Sequence, residues 1–308
     1  KGGGKGRGGG RGAHKFEMKA EYYFDVIEKA IWHFEHPLNH PNTVGIYLLS
    51  QEAKKLVTVL LSGEGADESL AGYNRFLISE ENKIFSKSFF GGLKRNWNYV
   101  FHYLSYALNS EKKMVMATAF GSIATAKALK PSFKLDNAIS NRVGTLKSLK
   151  GPINTRQRKY ELLTFLPDLL MRQDKMSMAH SIENRVPFLD NEMVSIALNI
   201  PSEALIAVHN KKLECKKVLK DIAAQKFGEP FAYREKMGFG IPLRSFMGSK
   251  IFQNKWKDII EPGLKKRDLF KVTQLSKWVK NIEKASPQQL DAIWLMFGFE
   301  LWAKQYLD

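Results

Sequence analysis

The stretch that most constrains the fold of this chain is residues 57–75, VTVLLSGEGADESLAGYNR. Its first five residues are apolar or β-branched, a composition typical of a buried strand in a parallel sheet. The strand gives way to SGEGADE at residues 62–68, where two glycines allow a sharp turn close to a ligand. Because open α/β sheets bind ligands at the carboxyl ends of strands, this turn is the best candidate site. The alternative is an ordinary strand-to-helix turn in which Asp67 caps the helix.

The segments around this turn predict an α/β fold. Apolar residues recur at helical spacing over residues 20–35, a proline-containing loop follows at 36–41, and Thr43 can cap a second helix over 44–55. The order helix, strand, turn, helix indicates a parallel sheet. Farther along, residues 131–158 read as a basic connector, and the carboxy-terminal half is predominantly helical. The predicted helices there cover residues 161–172, 175–184, 191–199, 211–226 and 272–302, with Pro201 and Gly228 as stops.

The charge of the chain is strongly basic, with 48 Lys and Arg against 31 Asp and Glu and a net charge of +17. Such a balance favours polyanionic partners, namely nucleic acid, anionic lipid or nucleotide substrates. The alternative is a soluble enzyme from a lysine-rich proteome. Residues 1–12, KGGGKGRGGGRG, are predicted to be disordered and resemble an RNA-contacting tail. A cloning linker and the remnant of a targeting segment are the other interpretations of this tail.

Two further features limit the possible classes. The single cysteine, Cys215, excludes an internal disulfide and a multi-cysteine metal site. No stretch approaches the roughly 20 apolar residues that a membrane span needs. The single cysteine is compatible with a reducing compartment, and we expect an intracellular protein, cytoplasmic or mitochondrial.

Three separated stretches share the pattern of one family. They are LSGEGADE at residues 61–68 with the GY and RF pairs that follow, DKMSMAHSIENRVPFLD at 174–190, and KMGFGIP at 236–242. In this order and spacing they strongly resemble the synthetase domain of the asparagine synthetase family. The resemblance implies an adenine nucleotide α-hydrolase-like α/β domain over residues 14–308, with a truncated parallel sheet, behind a tail at residues 1–13.

The resemblance also implies a reaction. In that family ATP activates the side-chain carboxylate of aspartate as an acyl-adenylate, ammonia attacks to form the amide, and AMP and pyrophosphate are released. Carried over by motif, Glu64 is the base that deprotonates the attacking ammonium. Lys236 stabilises charge on the phosphates, and Arg185 is a positioning residue.

The remaining site residues follow from the same motifs. Ser62 and Gly63 are implied to line the nucleotide and substrate pocket, with Asp174 as a positioning residue beside it. Asp67 is implied to bind Mg²⁺, a hard cation that takes oxygen ligands. Purely structural roles are the alternatives: Asp67 or Glu68 can charge a helix N-terminus, Arg185 can pair with Asp190, and Lys236 can be a surface lysine.

Two parts of the family pattern do not occur in this sequence. They are the pyrophosphate loop S-G-G-x-D-S with its strand, and the glutaminase domain with its nucleophilic cysteine. One hypothesis is that the chain is part of an ATP-dependent ligase whose other strands come from another segment or a partner chain. The second is an inactive relative that serves as a basic scaffold or RNA-contacting subunit, for example of an organellar ribosome. A third is amide formation on another substrate, as in macrolactam or β-lactam synthesis.

Overall fold

The computed structural model describes residues 14–77, 110–116, 123–132, 134–209, 212–235 and 238–308, so the tail at residues 1–12 lies outside it. The described chain consists mostly of helices, together with one parallel and one antiparallel pair of strands. The expected combination of a parallel sheet with a largely helical carboxy-terminal half is therefore confirmed in this coarse form. The finer α-hydrolase-like topology stays a prediction.

The first predicted helix is divided in two. Helix α1 covers Ala20–Asp25 and α2 covers Ile27–Phe34, and the apolar residues at helical spacing face the core. Helix α3 follows at Asn42–Ala53, after the predicted loop. Thr43 is buried in the first turn of α3, and Pro41 occupies the capping position, so the prediction that Thr43 caps this helix is wrong.

The strand before the candidate turn is shorter and more exposed than predicted. Strand β1 covers Val59–Leu61, and 73% of Leu61 is exposed to solvent. It is followed by α4 at Ala66–Ser69 and a 3₁₀ turn at Asn74–Phe76. The prediction of burial is wrong because, among the described residues, β1 has only one neighbouring strand.

That neighbour is β2 at Glu183–Arg185, which pairs with β1 in parallel. The sequence predicts helix over residues 175–184, and the last residues of that prediction are wrong. The helix ends earlier because Ser181 adopts a left-handed conformation with φ of 54°, which turns the chain away from the helix axis. Ile182 is then fully buried, and the strand follows it.

The predicted basic connector at residues 131–158 is also wrong. After α5 at Ser110–Met116 and α6 at Ile123–Leu129, helix α7 covers Asp136–Ser148 and α8 covers Ile153–Thr164. Helix α9 continues at Leu166–Met178. Lysine and arginine are good helix formers, so a basic composition does not oppose a helix. Ile139 and Leu146 supply the buried face of α7.

The carboxy-terminal half alternates short helices with one hairpin. Helix α10 at Asn191–Asn199 has the predicted bounds, and α11 covers Ser202–Leu205. Strands β3 and β4, Ala207–His209 and Lys212–Glu214, pair antiparallel. The helix predicted over residues 211–226 therefore begins later, at Lys217, after this hairpin, and is α12. Gly228, with φ of 83°, ends α12 as predicted. The later elements are α13 Glu229–Ala232, α14 Leu243–Met247, α15 Lys250–Lys255, a π-helical turn Trp256–Ile260, α16 Glu261–Arg267, α17 Val272–Lys280, a 3₁₀ turn Ile282–Lys284 and α18 Pro287–Tyr306.

The main hydrophobic core joins the two ends of the chain. Phe24 of α1 packs against Phe252 of α15 and Phe297 of α18, with ring centroids 5.4 and 5.7 Å away. The aromatic residues of the final helical region are therefore in the core or packed against it. Within the described ranges, the structure contains no helix that combines the length and apolarity of a membrane span.

Candidate active site

The candidate site lies where the two parallel strands end. Leu61 of β1 stands opposite Arg185 of β2, and the Ser62 N–H donates to the Arg185 carbonyl oxygen over 2.9 Å. Parallel strands present their carboxyl ends at one edge of a sheet, which is where ligands bind in α/β proteins. The structure therefore brings the first two sequence motifs together, although they are far apart in the chain.

The two glycines of the turn have different roles. Gly65 has φ of 85°, and a Cβ there would stand 2.1 Å from Leu189 Cδ2, so no other residue fits without movement. Gly63 is exposed, and apart from its own atoms and those of Ser62 and Glu64, no atom of the described residues lies within 4 Å of the place where its Cβ would be. A ligand can therefore approach the backbone at Gly63, next to Ser62.

Glu64 is a partly buried carboxylate in a negatively charged setting. Burial raises the pKa of Glu64, Glu68 and Asp67 raise it further, and Arg172 and Lys216 act in the opposite direction. A carboxylate whose pKa moves toward neutrality is better matched to general base catalysis. The direction of this pKa shift agrees with the role that the resemblance implies for Glu64.

Glu68 is the buried carboxylate of the turn, with 1% of its surface exposed. It accepts a hydrogen bond from the Tyr73 hydroxyl over 2.6 Å, and its Oε2 has no hydrogen-bond partner among the described residues. The Arg75 guanidinium lies 3.9 Å from the centre of the Tyr73 ring and forms two hydrogen bonds with Glu161, at 2.7 and 2.8 Å. This network holds Glu68, at the end of the turn at residues 62–68, in a fixed position.

Asp67 faces a lysine that the sequence analysis missed. Lys216 Nζ lies 2.9 Å from Asp67 Oδ1, and both side chains are largely buried. Asp67 lies in the first turn of α4, where a negative charge is favourable, but the capping position belongs to Gly65 and no side chain caps the helix. The alternative in which Asp67 caps the helix is therefore wrong.

Arg172 of α9 is a second residue that the sequence analysis missed. Its buried guanidinium donates to Asp168 Oδ2 over 3.1 Å and to Asn42 Oδ1 over 2.9 Å. Its positive charge is also one of the influences that lower the pKa of Glu64. The only local signal is the i, i+4 spacing of Asp168 and Arg172, which predicts a helical ion pair but not its place in the fold.

The other predicted site residues are less closely tied to the turn. Arg185 is 62% exposed and pairs with Glu183 over 2.8 Å on its own strand. The alternative pair with Asp190 is wrong, because the Asp190 carboxylate caps α10 by accepting from the Glu192 N–H over 2.9 Å. Asp174 is exposed on α9. Lys236 lies outside the described residues.

The described part of the third motif lies beside β1. Phe239, Gly240, Ile241 and Pro242 line a cavity of about 950 Å³ together with Leu60 of β1. The Phe239 ring also packs against α3, with atoms 3.0 Å from the place where a Cβ on Gly45 would stand. The motif that begins with Lys236 therefore approaches the same strand as the candidate turn.

The donor set at the turn suits a hard cation. Mg²⁺ commonly takes one or two carboxylates and completes its coordination with phosphate and water oxygens. Asp67, with 23% of its side chain exposed, fits this requirement. Within the described ranges, no group of three or more His, Cys, Asp or Glu side chains is arranged to hold a metal.

Comparison with known proteins agrees with the three motifs. The family model described as "Asparagine synthase" matches residues 10–304. Asparagine synthetase [glutamine-hydrolyzing] 1 of Bacillus subtilis strain 168 is 31% identical over 260 residues, which are 79% of this chain and 40% of that protein. A putative asparagine synthetase [glutamine-hydrolyzing] of Mycobacterium tuberculosis strain H37Rv is 25% identical over 310 residues, 94% of this chain and 46% of that protein. Amidase chyE of Penicillium rubens is 24% identical over 219 residues, 61% and 32% of the two chains. The chain thus spans less than half the length of these relatives.

Proposed function

Because this chain belongs to the asparagine synthase family, we propose that it forms an amide in an ATP-dependent reaction, with aspartate and ammonia as substrates. The observation that carries the proposal is the turn at residues 62–68. It combines a carboxylate of raised pKa, Glu64, with a second carboxylate, Asp67, and an open backbone position at Gly63. The relatives that are asparagine synthetases by name support the same class of reaction.

The proposed reaction has two steps. In the first, an oxygen of the aspartate side-chain carboxylate attacks the α-phosphorus of ATP, the bond to the β-phosphate oxygen breaks, and pyrophosphate leaves. In the second, Glu64 takes a proton from ammonium, the nitrogen attacks the acyl carbon, AMP leaves with the electron pair of the broken bond, and the nitrogen releases its second surplus proton to water to give the neutral amide. A partly buried base next to the nucleophile is what the second step requires.

The remaining residues take binding roles in this proposal. Ser62 and Gly63 line the pocket, and Asp67 holds Mg²⁺, which neutralises charge on the departing pyrophosphate when it is bound. Arg185 positions ligand groups from the exposed end of β2. Asp174 and Lys236 enter the proposal through their positions in the motifs, Lys236 as a point charge for phosphate.

The free edge of β1 supports completion of the site by another strand. Among the described residues, β1 pairs only with β2, and Val59 and Leu61 are 39% and 73% exposed. A strand added in parallel to this edge would pair with the backbone groups of β1, and its carboxyl end would lie beside the turn at residues 62–68. A pyrophosphate loop at the end of such a strand would stand beside Gly63. The strand would come from another segment of the same protein or from a partner chain.

Two half-reactions test the function and the role of Glu64 separately. The protein is assayed alone and with a candidate polypeptide that carries the S-G-G-x-D-S loop. Aspartate-dependent exchange of labelled pyrophosphate into ATP reports the first step, and asparagine formation from ammonia reports both. Absence of exchange in every combination refutes the ligase proposal.

Variants then assign the base. We expect Glu64→Gln to retain exchange and to lower asparagine formation by about 10²–10⁴-fold, which is the usual contribution of a general base. Glu192→Gln, which removes an exposed carboxylate at the start of α10, is the matched control and should behave like the unmodified protein. Equal losses of both activities in Glu64→Gln would show that Glu64 is not the base for ammonium.

The net charge of +17 favours one competing function, an inactive scaffold that contacts RNA. Counterion release then predicts RNA binding that weakens steeply with added salt. Deletion of residues 1–12 should weaken binding further, because this tail concentrates basic residues. The retained carboxylates at the turn oppose this function, since Glu64 and Asp67 repel phosphate when no metal is bound. Negligible RNA binding at low salt would refute it.

A further inference from the structure

The carboxylate proposed to hold the metal already has a cation beside it. Lys216 Nζ lies 2.9 Å from Asp67 Oδ1, with 20% of the lysine side chain and 23% of the aspartate side chain exposed. Lys216 is the residue immediately before α12, so it reaches Asp67 from an element distant in sequence. A lysine ammonium is a compact point charge on a flexible stem, which can leave one position and take another.

The local backbone is shaped to accommodate this pair. A Cβ on residue 72 would stand 1.9 Å from Asp67 Oδ1 and 2.2 Å from Lys216 Cε, so a larger residue in place of Gly72 would displace one of these side chains. Lys216 itself adopts the left-handed conformation, with φ of 54°, which is unfavourable for residues other than glycine. Cys215 Sγ lies 3.6 Å from the Tyr73 carbonyl oxygen and holds this segment against the turn that follows α4.

The surrounding charges explain why a cation is needed at this position. Asp67 and Glu68 are neighbours in the first turn of α4, and Glu68 is 1% exposed. Both carboxylates raise the pKa of Glu64, whereas Lys216 lowers it. Carboxylates gathered in a partly buried turn repel one another, and a cation between them relieves that repulsion. Lys216 supplies this charge from within the protein.

We propose that Lys216 is an exchangeable counter-ion of Asp67, which occupies the metal-binding carboxylate until a divalent cation displaces it. This inference rests on the proposed function, in which Asp67 holds Mg²⁺. Two cations that share one carboxylate oxygen repel each other, so Lys216 and the metal compete for Asp67. The lysine offsets part of the negative charge of the turn in the metal-free protein and lowers its affinity for metal.

Titration with Mn²⁺ tests the competition directly, because free Mn²⁺ is counted by its electron paramagnetic resonance signal. The titration uses the whole protein without nucleotide, aspartate or ammonia. Lys216→Met is expected to bind Mn²⁺ about tenfold more tightly than the unmodified protein, since it removes a competing charge next to the ligand. Lys216→Arg keeps the charge and is expected to bind Mn²⁺ no more tightly than the unmodified protein.

A control of the same charge separates local competition from a change in net charge. Lys220 of α12 pairs with Glu214, and these side chains have exposures of 27% and 24%, close to those of the Lys216–Asp67 pair. Lys220→Met should leave the Mn²⁺ affinity near that of the unmodified protein. Adding Asp67→Asn to Lys216→Met should abolish the gain.

Several results would overturn the inference. They are equal Mn²⁺ affinities in Lys216→Met and Lys220→Met, weaker binding in Lys216→Met, and no binding in any variant. If Lys216→Met does not fold, tighter Mn²⁺ binding by Lys216→Arg overturns it instead. A protein that shows the competition but no pyrophosphate exchange contradicts only the proposed function, whereas exchange without competition contradicts only the role of Lys216.

Discussion

Replacing Gly65 with alanine perturbs the candidate turn at its most constrained point. Gly65 has φ of 85°, and the left-handed region costs a residue with a Cβ about 1–2 kcal/mol. The added Cβ would also stand 2.1 Å from Leu189 Cδ2 and 2.4 Å from Leu189 Cγ. Overpacking of this kind costs about 1–3 kcal/mol when the neighbour has to move. Alanine loses less chain entropy on folding than glycine, which offsets about 0.4–1 kcal/mol.

We therefore expect Gly65→Ala to lower the free energy of unfolding by about 2–4 kcal/mol. Equilibrium unfolding in urea, followed by tryptophan fluorescence and circular dichroism, measures this change. Gly63→Ala is the matched control, because it lies two residues earlier in the same turn, without a positive φ and without a described atom beyond its chain neighbours within 4 Å of the new Cβ. Its free energy of unfolding should change by less than about 0.5 kcal/mol.

A double variant separates the two causes. Leu189→Ala removes the side chain that meets the new Cβ, so Gly65→Ala in that background should cost only the backbone part less the entropy offset, about 0.5–1.5 kcal/mol. A loss for Gly65→Ala within about 0.5 kcal/mol of that for Gly63→Ala would refute the assigned conformation of the turn. If Gly63→Ala instead lowers nucleotide affinity while stability is retained, the open backbone position is where the ligand approaches.

Three further variants test other buried polar groups. Arg158 is fully buried and donates to four backbone carbonyl oxygens, so Arg158→Met should lower the free energy of unfolding by about 3–5 kcal/mol in urea titrations, and a loss below 1 kcal/mol would contradict this role. Tyr73→Phe removes the hydrogen bond to buried Glu68 and should lower the free energy of unfolding by about 1–3 kcal/mol in the same assay. An unchanged free energy of unfolding would show that this bond does not stabilise the fold. Burial lowers the pKa of His40 to about 4 from 6.5, so the unfolded chain binds a proton between these pH values that the folded chain does not. Stability should therefore fall as the pH drops through this window, and His40→Gln should flatten that dependence whereas His36→Gln should not.

Local signals were sufficient for the parts of the fold that depend on neighbouring residues. Helix α10 has the bounds that the sequence predicts, and Gly228 ends α12 where a left-handed residue is needed. Strand β2 could not be predicted in this way, because its residues, Glu183-Asn184-Arg185, are polar and show no apolar alternation. It is a strand only because β1 lies beside it, and that pairing is non-local.

The residues of the candidate site also fall into two groups, those that local sequence identifies and those that only the fold brings together. Ser62, Gly63, Glu64 and Asp67 lie in one short stretch, so a motif identifies all of them at once. Lys216, just before α12, contacts Asp67 of the turn, and Arg172 of α9 acts on Glu64 through its charge. A lysine in a chain with 48 basic residues carries no sequence signal that marks it as the partner of one particular carboxylate. Only the fold shows which of these charges surround the turn.

The prediction that failed at β1 separates the two functional hypotheses. The run at residues 57–61 has the composition of a strand covered on both sides, yet Val57, Val59 and Leu61 are 40%, 39% and 73% exposed. An exposed apolar edge strand favours aggregation, and proteins usually cover or charge such an edge. A scaffold that needs no further strand has no reason to keep this edge apolar. The ligase hypothesis gives the apolar run a purpose, because the further strand that it proposes would pair with this edge and would carry the pyrophosphate loop to the turn at residues 62–68.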